Sequence, residues 1–167
     1  MSLIFKEIEK KDEKQLRNLI NTVLEGLENP QFFIPYAEWE LENLYDKEYA
    51  PLHGAYDGEK LVGMAQLYIK ADFLEEYKEV LGLEGCKVCE LGGNLVLPEY
   101  RGQGIMYTLI QMQAELAKEL GFDYIISMAH PDNIGSKKAL MKLGLEYVKT
   151  TTVNEIFLRD IFMMKIS

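Results

Sequence analysis

Two glycines, Gly102 and Gly104, lie between an apolar segment that ends at Pro98 and a long helical pattern that begins at Ile105. The first N–H groups of a helix have no partners within the helix, so they are well suited to bind an anion. The glycines remove the side chains that would keep a phosphate away from the backbone, and they can adopt positive φ. The segment therefore predicts a phosphate-binding loop.

The spacing of this loop excludes two common nucleotide sites. The pattern G-x-x-x-x-G-K-[ST] of Mg-nucleotide binders is absent. The dinucleotide fingerprint G-x-G-x-x-G requires glycine at a position where this chain has Tyr107. A plain glycine-containing turn that opens an ordinary helix is the alternative interpretation.

The loop resembles the coenzyme A loop of the GNAT superfamily of N-acetyltransferases, which reads V-x-P-x-x-R-G-x-G-I-G. The residues that match in register are Val96, Pro98, Arg101, Gly102, Gly104 and Ile105. The chain departs from the motif at Met106, where relatives carry Gly or Ala. The resemblance spans nearly the whole order of elements and is strongest over residues 88–145. It implies a GNAT α/β fold, with a mixed, mostly antiparallel central sheet flanked by helices, formed by residues 1–167 as a single domain.

The resemblance also implies acetyl-CoA as co-substrate, no metal, and a set of coenzyme-binding residues. In the superfamily, the strand before the proline pairs with the pantetheine arm, which here assigns Leu95, Val96 and Leu97. The phosphate loop contributes the residues Arg101, Gly102, Gln103, Gly104, Ile105 and Met106. Asn133 and Ser136 match the pattern N-x-x-[AS]-x-x-x-[YF]-x-x-x-G-F, in which the asparagine contacts the coenzyme arm. Asn133 could equally be the N-cap of a helix.

Glu90 is the candidate catalytic base. An amine with a pKa of about 10.4 is mostly protonated at neutral pH and must lose a proton before it attacks a thioester. Counted back from Val96, Glu90 matches the glutamate that serves as base in histone-type members of the superfamily. On an unbroken strand Glu90, Gly92, Asn94 and Val96 would share a face. The adjacent Gly92 and Gly93 indicate a bulge or a close approach, which would change that direction, and a solvated or salt-bridged carboxylate is the alternative.

The position that supplies the acid in many relatives is occupied by Leu140. Leucine cannot donate a proton, although a thiolate with a pKa of about 8.5 can leave without one. The main hypothesis is therefore acetyl transfer to a primary amine by direct attack on the thioester. A non-catalytic acetyl-CoA-binding sensor or interaction module is the alternative, and another acyl group or nucleophile is a further one.

An aromatic segment before the first hairpin is the candidate acceptor pocket. Its aromatic residues are Phe32, Phe33, Tyr36, Trp39, Tyr45 and Tyr49, and its carboxylates are Glu38, Glu40, Glu42, Asp46 and Glu48. This combination suits a cationic amine. Such aromatics are also common in cores, and such carboxylates on solvated faces, so that alternative stays open here.

Composition restricts the partners. The net charge of −9 argues against nucleic acid, whose phosphates require basic surfaces. The apolar runs are too short to cross a membrane, and no signal peptide follows the first residue, so the expected location is the cytoplasm. The expected acceptor is a small-molecule or peptide amine, and a homodimer is an assembly that the sequence leaves open. Cys86 and Cys89 lack a second ligand pair for zinc and are expected to be reduced thiols.

Apolar periodicity predicts the elements of the first half of the chain. An amphipathic helix follows a D-x-x-Q capping pattern at Asp12 and ends before Asn29-Pro30. A short helix is expected within residues 36–45. A hairpin with strands over residues 51–56 and 61–70 turns at Asp57-Gly58, and a short helix covers residues 72–83.

The second half alternates strand and helix. Strands are predicted over residues 88–97, 124–129, 147–153 and 156–166. The helix after the phosphate loop would end at Gly121 and bury a face that consists of Ile105, Leu109, Met112, Leu116 and Leu120. Another helix runs from Asn133 through Leu143 and is capped by Gly144. A ligand is expected beyond the carboxyl ends of the strands.

Overall fold

The computed structural model describes residues 2–70 and 72–167, and its centre is a sheet of seven strands. The strands are β1 (Leu3–Glu7), β2 (Leu52–Asp57), β3 (Lys60–Tyr68), β4 (Val88–Val96), β5 (Tyr124–Ala129), β6 (Glu146–Val153) and β7 (Phe157–Lys165). The helices are α1 (Glu13–Glu25), α2 (Glu38–Glu42), α3 (Phe73–Leu81), α4 (Ile105–Glu119) and α5 (Ile134–Leu143).

The strands lie in the order β1-β2-β3-β4-β5-β7-β6. Every neighbouring pair is antiparallel except β4 and β5, which run parallel. The connection between these two parallel strands contains α4, as a parallel crossover requires. The predicted mixed, mostly antiparallel sheet flanked by helices is confirmed.

Helix α1 forms where the apolar periodicity predicts it, but it starts differently. The side chain of Asp12 makes no capping hydrogen bond, because a 3-10 turn precedes the helix and Asp12 has φ −95° and ψ 13°. Asp12 accepts instead from the Tyr56 hydroxyl at 2.8 Å. Gln15 accepts from the backbone N–H of Leu61 at 2.9 Å. The predicted capping pattern is thus wrong, and both side chains tie α1 to the β2–β3 hairpin.

Strand β4 carries the bulge that its glycine pair predicts. Gln66 of β3 lies opposite Gly92, but Met64, two residues earlier, lies opposite Leu95, so β4 has one extra residue. Gly93 has φ +58°, a conformation that L side chains rarely adopt. The bulge explains why this strand needs glycine in its interior.

Helix α4 buries Ile105 and Leu109 as predicted, but the rest of its buried face differs from the prediction. Its buried residues are Ile105, Leu109, Ile110, Gln113, Ala114 and Ala117. Of the predicted positions, Leu120 is exposed, and Met112 and Leu116 are only half-buried. Small alanines let the helix lie close to the sheet, so the contact follows residue size as well as hydrophobicity.

The remaining elements agree with the sequence to within a few residues. Strand β5 is confirmed at its predicted bounds, and α5 ends at Gly144, which has φ +118°. Strand β1 was not predicted; only half-buried residues alternate in it with exposed ones, so its pattern is weak. In the described part of the chain, no helix has both the length and the apolar character needed to cross a bilayer.

Candidate active site

The carboxyl group of Glu90 is enclosed in the middle of the sheet. Glu90 lies opposite Tyr68 of β3 and beside Ile126 of β5, and only 8% of its surface is exposed. Its Oε2 atom is buried and has no hydrogen-bond partner among the described residues. Burial, and secondarily the negative charge of Glu40, raise the pKa of Glu90 to about 8. A carboxyl group with this pKa becomes ionised, and so able to accept a proton, as the pH approaches 8.

A buried glutamine accepts hydrogen bonds from two phenols near this carboxyl group. Gln66 is almost fully buried, and its Oε1 accepts from the Tyr36 hydroxyl at 2.7 Å and from the Tyr68 hydroxyl at 2.9 Å. Burial is the largest cause that raises the pKa of both phenols, so they stay protonated donors. Since both phenols donate their protons to Gln66, neither donates a hydrogen bond to Glu90.

The glycine pair of β4 makes room for this network. A Cβ on Gly92 would lie 2.6 Å from a ring carbon of Tyr68. A Cβ on Gly93 would lie 2.7 Å from Gln66 Oε1 and 2.9 Å from the Tyr36 hydroxyl. Real side chains do not approach so closely, so Gly92 requires glycine because of the Tyr68 ring, and Gly93 requires it because of its positive φ and the network beside it.

The bulge also separates the two parallel strands. Pairing of β4 with β5 ends at Leu91 and Ser127, although β4 continues to Val96 and β5 to Ala129. At the last pair the Ser127 hydroxyl donates to the Leu91 carbonyl oxygen at 2.8 Å. The strands therefore diverge just past Glu90.

The bulge changes which groups β4 presents. Leu95 pairs with Met64 and lies on the face that carries Glu90, whereas Val96 pairs with Gly63 and lies on the opposite face, toward α4. The common face that an unbroken strand would give Glu90, Gly92, Asn94 and Val96 therefore does not form: Glu90 and Gly92 share a face, and the bulge places Val96 on the other. Asn94 Oδ1 is buried without a partner in the described residues.

The three predicted pantetheine-binding residues of β4 are not equivalent. The N–H of Leu97 donates to the Val62 carbonyl oxygen at 2.9 Å, so Leu97 and, two residues earlier, Leu95 direct their backbone groups toward β3. The N–H and C=O of Val96 point the other way, into the gap between β4 and β5. Val96 is thus the residue of this group whose backbone can bind a ligand as an added strand would.

The loop between β4 and α4 has the geometry of an anion site. Gly102 has φ +79° and Gly104 has φ +76°, and a Cβ at either residue would meet no atom within 4 Å. Both glycines face open space at the N-terminus of α4, a helix of 15 residues. Arg101 and Gln103 are exposed beside them. The loop therefore leaves open space beside the first backbone N–H groups of α4, as an anion site requires.

The start of α5 lies next to this loop. The Ser136 hydroxyl contacts the Met106 sulfur at 3.9 Å, which joins the first turns of α4 and α5. Asn133 is the N-cap of α5, and its Oδ1 accepts from the Ser136 N–H at 3.4 Å. Of the two predicted roles of Asn133, the structure displays the cap. Ile105, in contrast, is buried under the loop against Gly63.

Leu140 is part of the core. It is 1% exposed and packs with apolar residues such as Ile110, Phe162 and Leu145. The pocket around this position is therefore apolar, and within the described residues no hydroxyl occupies the place where relatives carry the acid.

The aromatic segment contains two pairs of rings in contact, and the other two aromatic residues have separate neighbours. Trp39 packs edge-on against Tyr49, which packs in the same way against Tyr68, beside Glu90. Phe33 packs on Tyr36, near Gln66. Phe32 lies against His130, with tilted rings whose centroids are 5.3 Å apart, and Tyr45 packs, like Phe33 and Tyr36, against the core cluster that contains α1.

Of the carboxylates in this segment, only Glu40 is half-buried. The exposed ones are Glu38, Glu42, Asp46 and Glu48, which form a solvated face.

Sequence reasoning missed residues that surround Glu90. Phe73 and Tyr77 of α3 extend the aromatic series from Tyr68, with ring centroids 5.8 and 6.0 Å apart. Gln66 could have been found, since it is a polar residue in the aliphatic run of β3. The aromatic pairs depend on strand register, which the sequence does not provide.

The thiols lie near the site but take no part in it. Cys86 and Cys89 are both free, and Cys89 is buried on the face opposite Glu90. Among residues 2–70 and 72–167, no cluster of His, Cys, Asp or Glu has the arrangement of a metal site.

Comparisons with known proteins identify the family and the fold. The model of the acetyltransferase (GNAT) family matches residues 14–145. No curated protein matches the chain. An N-acetyltransferase from Staphylococcus aureus Mu50 is 14% identical, with a TM-score of 0.75 and 99% of each chain covered.

Two further solved structures share the fold. A ribosomal-protein-alanine N-acetyltransferase from Brucella melitensis is 19% identical, with a TM-score of 0.74, covering 98% of this chain and 99% of the other. A putative acetyltransferase from Salmonella typhimurium, solved with its cofactor acetyl-CoA, is 12% identical, with a TM-score of 0.71, covering 100% and 95%. At these identities the likeness establishes the fold, and the family model assigns the sequence: the chain belongs to the acetyltransferase (GNAT) family.

Proposed function

We propose that this protein is an N-acetyltransferase that moves an acetyl group from acetyl-CoA to a primary amine of a small molecule or peptide. Strands from both ends of the chain join one sheet, which supports a single N-acetyltransferase domain over residues 1–167. The two free thiols support a cytoplasmic location.

Glu90 carries this proposal. Its buried carboxyl group has an atom without a partner and a pKa of about 8, so the ionised form is basic enough to take a proton from an ammonium group. The surrounding rings of Tyr49 and Tyr68 provide faces that attract a cation. The site can thus hold the amine and deprotonate it.

The coenzyme side of the site consists of backbone groups. The N–H groups at Gly102, Gly104 and the first turn of α4 would hold the pyrophosphate. The Val96 backbone would align the pantetheine arm, and its N–H can stabilise negative charge on the carbonyl oxygen. Bound acetyl-CoA supplies an acetyl group activated as a thioester.

Transfer then requires one base and no covalent enzyme intermediate. The neutral amine forms a C–N bond to the acetyl carbon, the C–S bond breaks, and sulfur keeps the electron pair. Glu90 has taken the proton that made the amine neutral, and the second proton, which nitrogen loses as the amide forms, passes to the released thiolate or to water. Because the thiol has a pKa of about 8.5, its thiolate can leave without a proton donor at position 140.

A second candidate function rests on Leu140. Its burial in an apolar cluster leaves the usual acid position without a donor, which favours a domain that binds acetyl-CoA as a sensor or interaction module.

One assay distinguishes the two functions. Purified protein is incubated with acetyl-CoA and polyamines, aminoglycosides, amino acids or peptides, and N-acetylated products are identified by mass spectrometry. We expect product from the parent protein and little from Glu90→Gln, with acetyl-CoA binding equal by calorimetry. The matched control is Glu115→Gln, which removes an exposed carboxylate of α4. Binding without turnover across the whole panel would favour the sensor.

A further inference from the structure

A buried cation without a carboxylate partner lies on β7. Arg159 is 3% exposed, and its Nη1 donates to the Leu158 carbonyl oxygen at 2.7 Å. In the part of the chain that the structure describes, no carboxylate oxygen lies within 4.0 Å of it. A guanidinium offers five N–H donors in a planar fork, and buried charges are normally paired. The guanidinium also lies over the Phe157 ring, with its Cζ 5.7 Å from the ring centroid. Arg159 therefore has a backbone and an aromatic neighbour but no counter-ion among the described residues.

Strand register places Arg159 on the face of the sheet that carries Glu90. Glu90 lies beside Ile126, and Ile126 lies opposite Met163 of β7, so these three side chains form one row. Alternate residues of a strand share a face, so Ile161 and Arg159 follow Met163 on the same side.

The neighbour of Arg159 in sequence faces the other way. Asp160 accepts from Thr150 at 2.6 Å and pairs with Lys137 at 3.0 Å. This carboxylate therefore does not serve as the counter-ion of Arg159.

Helix α3 covers this face between the two charged groups. Tyr77 packs in a cluster with Ile126, Val88 and Met163. Its phenol lies within electrostatic reach of both charges, since Glu90 raises and Arg159 lowers the pKa of Tyr77, after the dominant effect of burial. Glu90 and Arg159 thus lie on the same face of the sheet, and Tyr77 of α3 packs on that face against β4, β5 and β7, the strands that include both residues.

We propose that the amine acceptor carries a carboxylate, which Arg159 binds while Glu90 removes the proton from the amine. This inference rests on the proposed function. It restricts the acceptor to amino-carboxylate compounds, because the guanidinium fork matches a carboxylate in two-point geometry. A polyamine or an aminoglycoside would bring a second cation beside Arg159 without neutralising it.

The carboxylate could come from a free amino acid or from an acidic side chain near a peptide N-terminus. Matched acceptor pairs distinguish these sources. The first pair is L-phenylalanine and L-phenylalaninamide, and the second is two peptides that begin Ala-Asp and Ala-Asn. In the pair that represents the true source, we expect kcat/KM to be about 10- to 100-fold higher for the acceptor with the carboxylate than for its amide, the usual effect of a charged hydrogen bond.

The variants test the assignment to Arg159. Arg159→Gln should remove the preference for the acid, and Arg159→Lys should keep part of it. The control is Arg17→Gln, which changes an exposed arginine of α1. CoA affinity and melting temperature verify that each variant is folded. If Arg159→Gln does not fold, the acid–amide comparison on the parent protein and Arg159→Lys decides.

Binding separates this inference from the proposed function. Calorimetry is performed on CoA-loaded protein, in which no transfer can occur. If acids bind more tightly than amides in the parent but not in Arg159→Gln, the inference holds even when no amine is acetylated, and only the transferase proposal fails. Equal binding of acids and amides, or a preference that Arg159→Gln retains, would overturn it.

Discussion

Glu90 and Tyr68 face each other across β3 and β4, yet the Tyr68 phenol donates to Gln66 and not to the carboxyl group. The glutamine has one acceptor oxygen and receives two phenolic protons there. Glu90 is therefore surrounded by polar aromatic residues and still lacks a partner for one oxygen. This arrangement keeps the carboxyl group buried and available to a substrate.

The first prediction concerns the pH dependence of activity. Because the pKa of Glu90 is about 8, the ionised base becomes more abundant as pH rises toward 8. We expect kcat/KM to increase with pH and then level off above about 8. Glu90→Gln should lower transfer by about 10²- to 10⁴-fold above that pH, the usual contribution of a general base. The two proteins should converge at low pH, where both carry an uncharged side chain. A parent profile identical in shape to that of the variant would contradict the assignment.

The second prediction concerns the pH dependence of stability. The folded state raises the pKa of Glu90 from 4.5 to about 8, so it binds the proton more tightly than the unfolded chain does. Its contribution to stability is greatest below about pH 4.5 and is lost as pH rises to about 8. The slope in this window is at most about 1.4 kcal/mol per pH unit. We therefore compare the free energy of unfolding of Glu90→Gln with that of the parent by denaturant unfolding. The difference should favour the variant more at pH 9 than at pH 5. An equal difference at both pH values would argue against a protonated buried carboxyl group.

The third prediction tests the phosphate loop. Gly104→Glu places a negative side chain in open space where the coenzyme phosphates would lie, and we expect calorimetry to detect no acetyl-CoA binding. Gly58→Glu is a matched control, since Gly58 also has positive φ and open space around its Cβ but lies in the β2–β3 turn. If both variants bound acetyl-CoA equally well, the coenzyme would have to bind elsewhere.

The fourth prediction concerns the glycine pair. Gly92→Ala forces a Cβ to within 2.6 Å of the Tyr68 ring, so we expect a loss of about 1–3 kcal/mol in the free energy of unfolding. Gly135→Ala is the control, because its Cβ would meet nothing within 4 Å and it lies within α5. That substitution should stabilise the protein by about 0.5–1 kcal/mol. Similar effects of the two substitutions would mean that Tyr68 moves away easily.

The fifth prediction concerns the position of the missing acid. Leu140→Tyr inserts a ring and a hydroxyl into a packed apolar cluster, which commonly costs about 1–3 kcal/mol. We expect a lower melting temperature and no increase in kcat. A severalfold increase in kcat at unchanged KM for acetyl-CoA would show that thiolate protonation limits the parent enzyme.

Local signals allowed much of the fold to be predicted. Strand β5 is a buried apolar run and helix α5 is closed by Gly144, and turn residues bound both elements, so their bounds agree with the sequence. The glycine pair of β4 correctly indicated a bulge. Strand β1 lacks a strong pattern, and the buried face of α4 depends on Ala114 and Ala117, whose importance lies in their small size.

The site was less accessible to sequence reasoning because its contacts join distant parts of the chain. Tyr36 and Gln66 are 30 residues apart and meet only once β3 has its final register. The raised pKa of Glu90 depends on burial by several elements. The position of Arg159 on the face that carries Glu90 follows only from the pairing of β7 with β5, which the sequence does not reveal.

The extra residue at the Gly93 bulge reverses the alternation of side chains along β4. Before the bulge, the even-numbered residues of β4 lie on the face of the sheet that carries Tyr68. After it, the odd-numbered residues lie on that face. Deleting one residue here would turn over the whole downstream segment. Leu95 would exchange places with Val96, and the glycine loop would reach α4 rotated by about 180°, since side chains in a strand alternate with a period of two. The orientation of the loop relative to the base therefore depends on whether the number of residues between them is odd or even. An insertion of two residues would be tolerated better than an insertion of one.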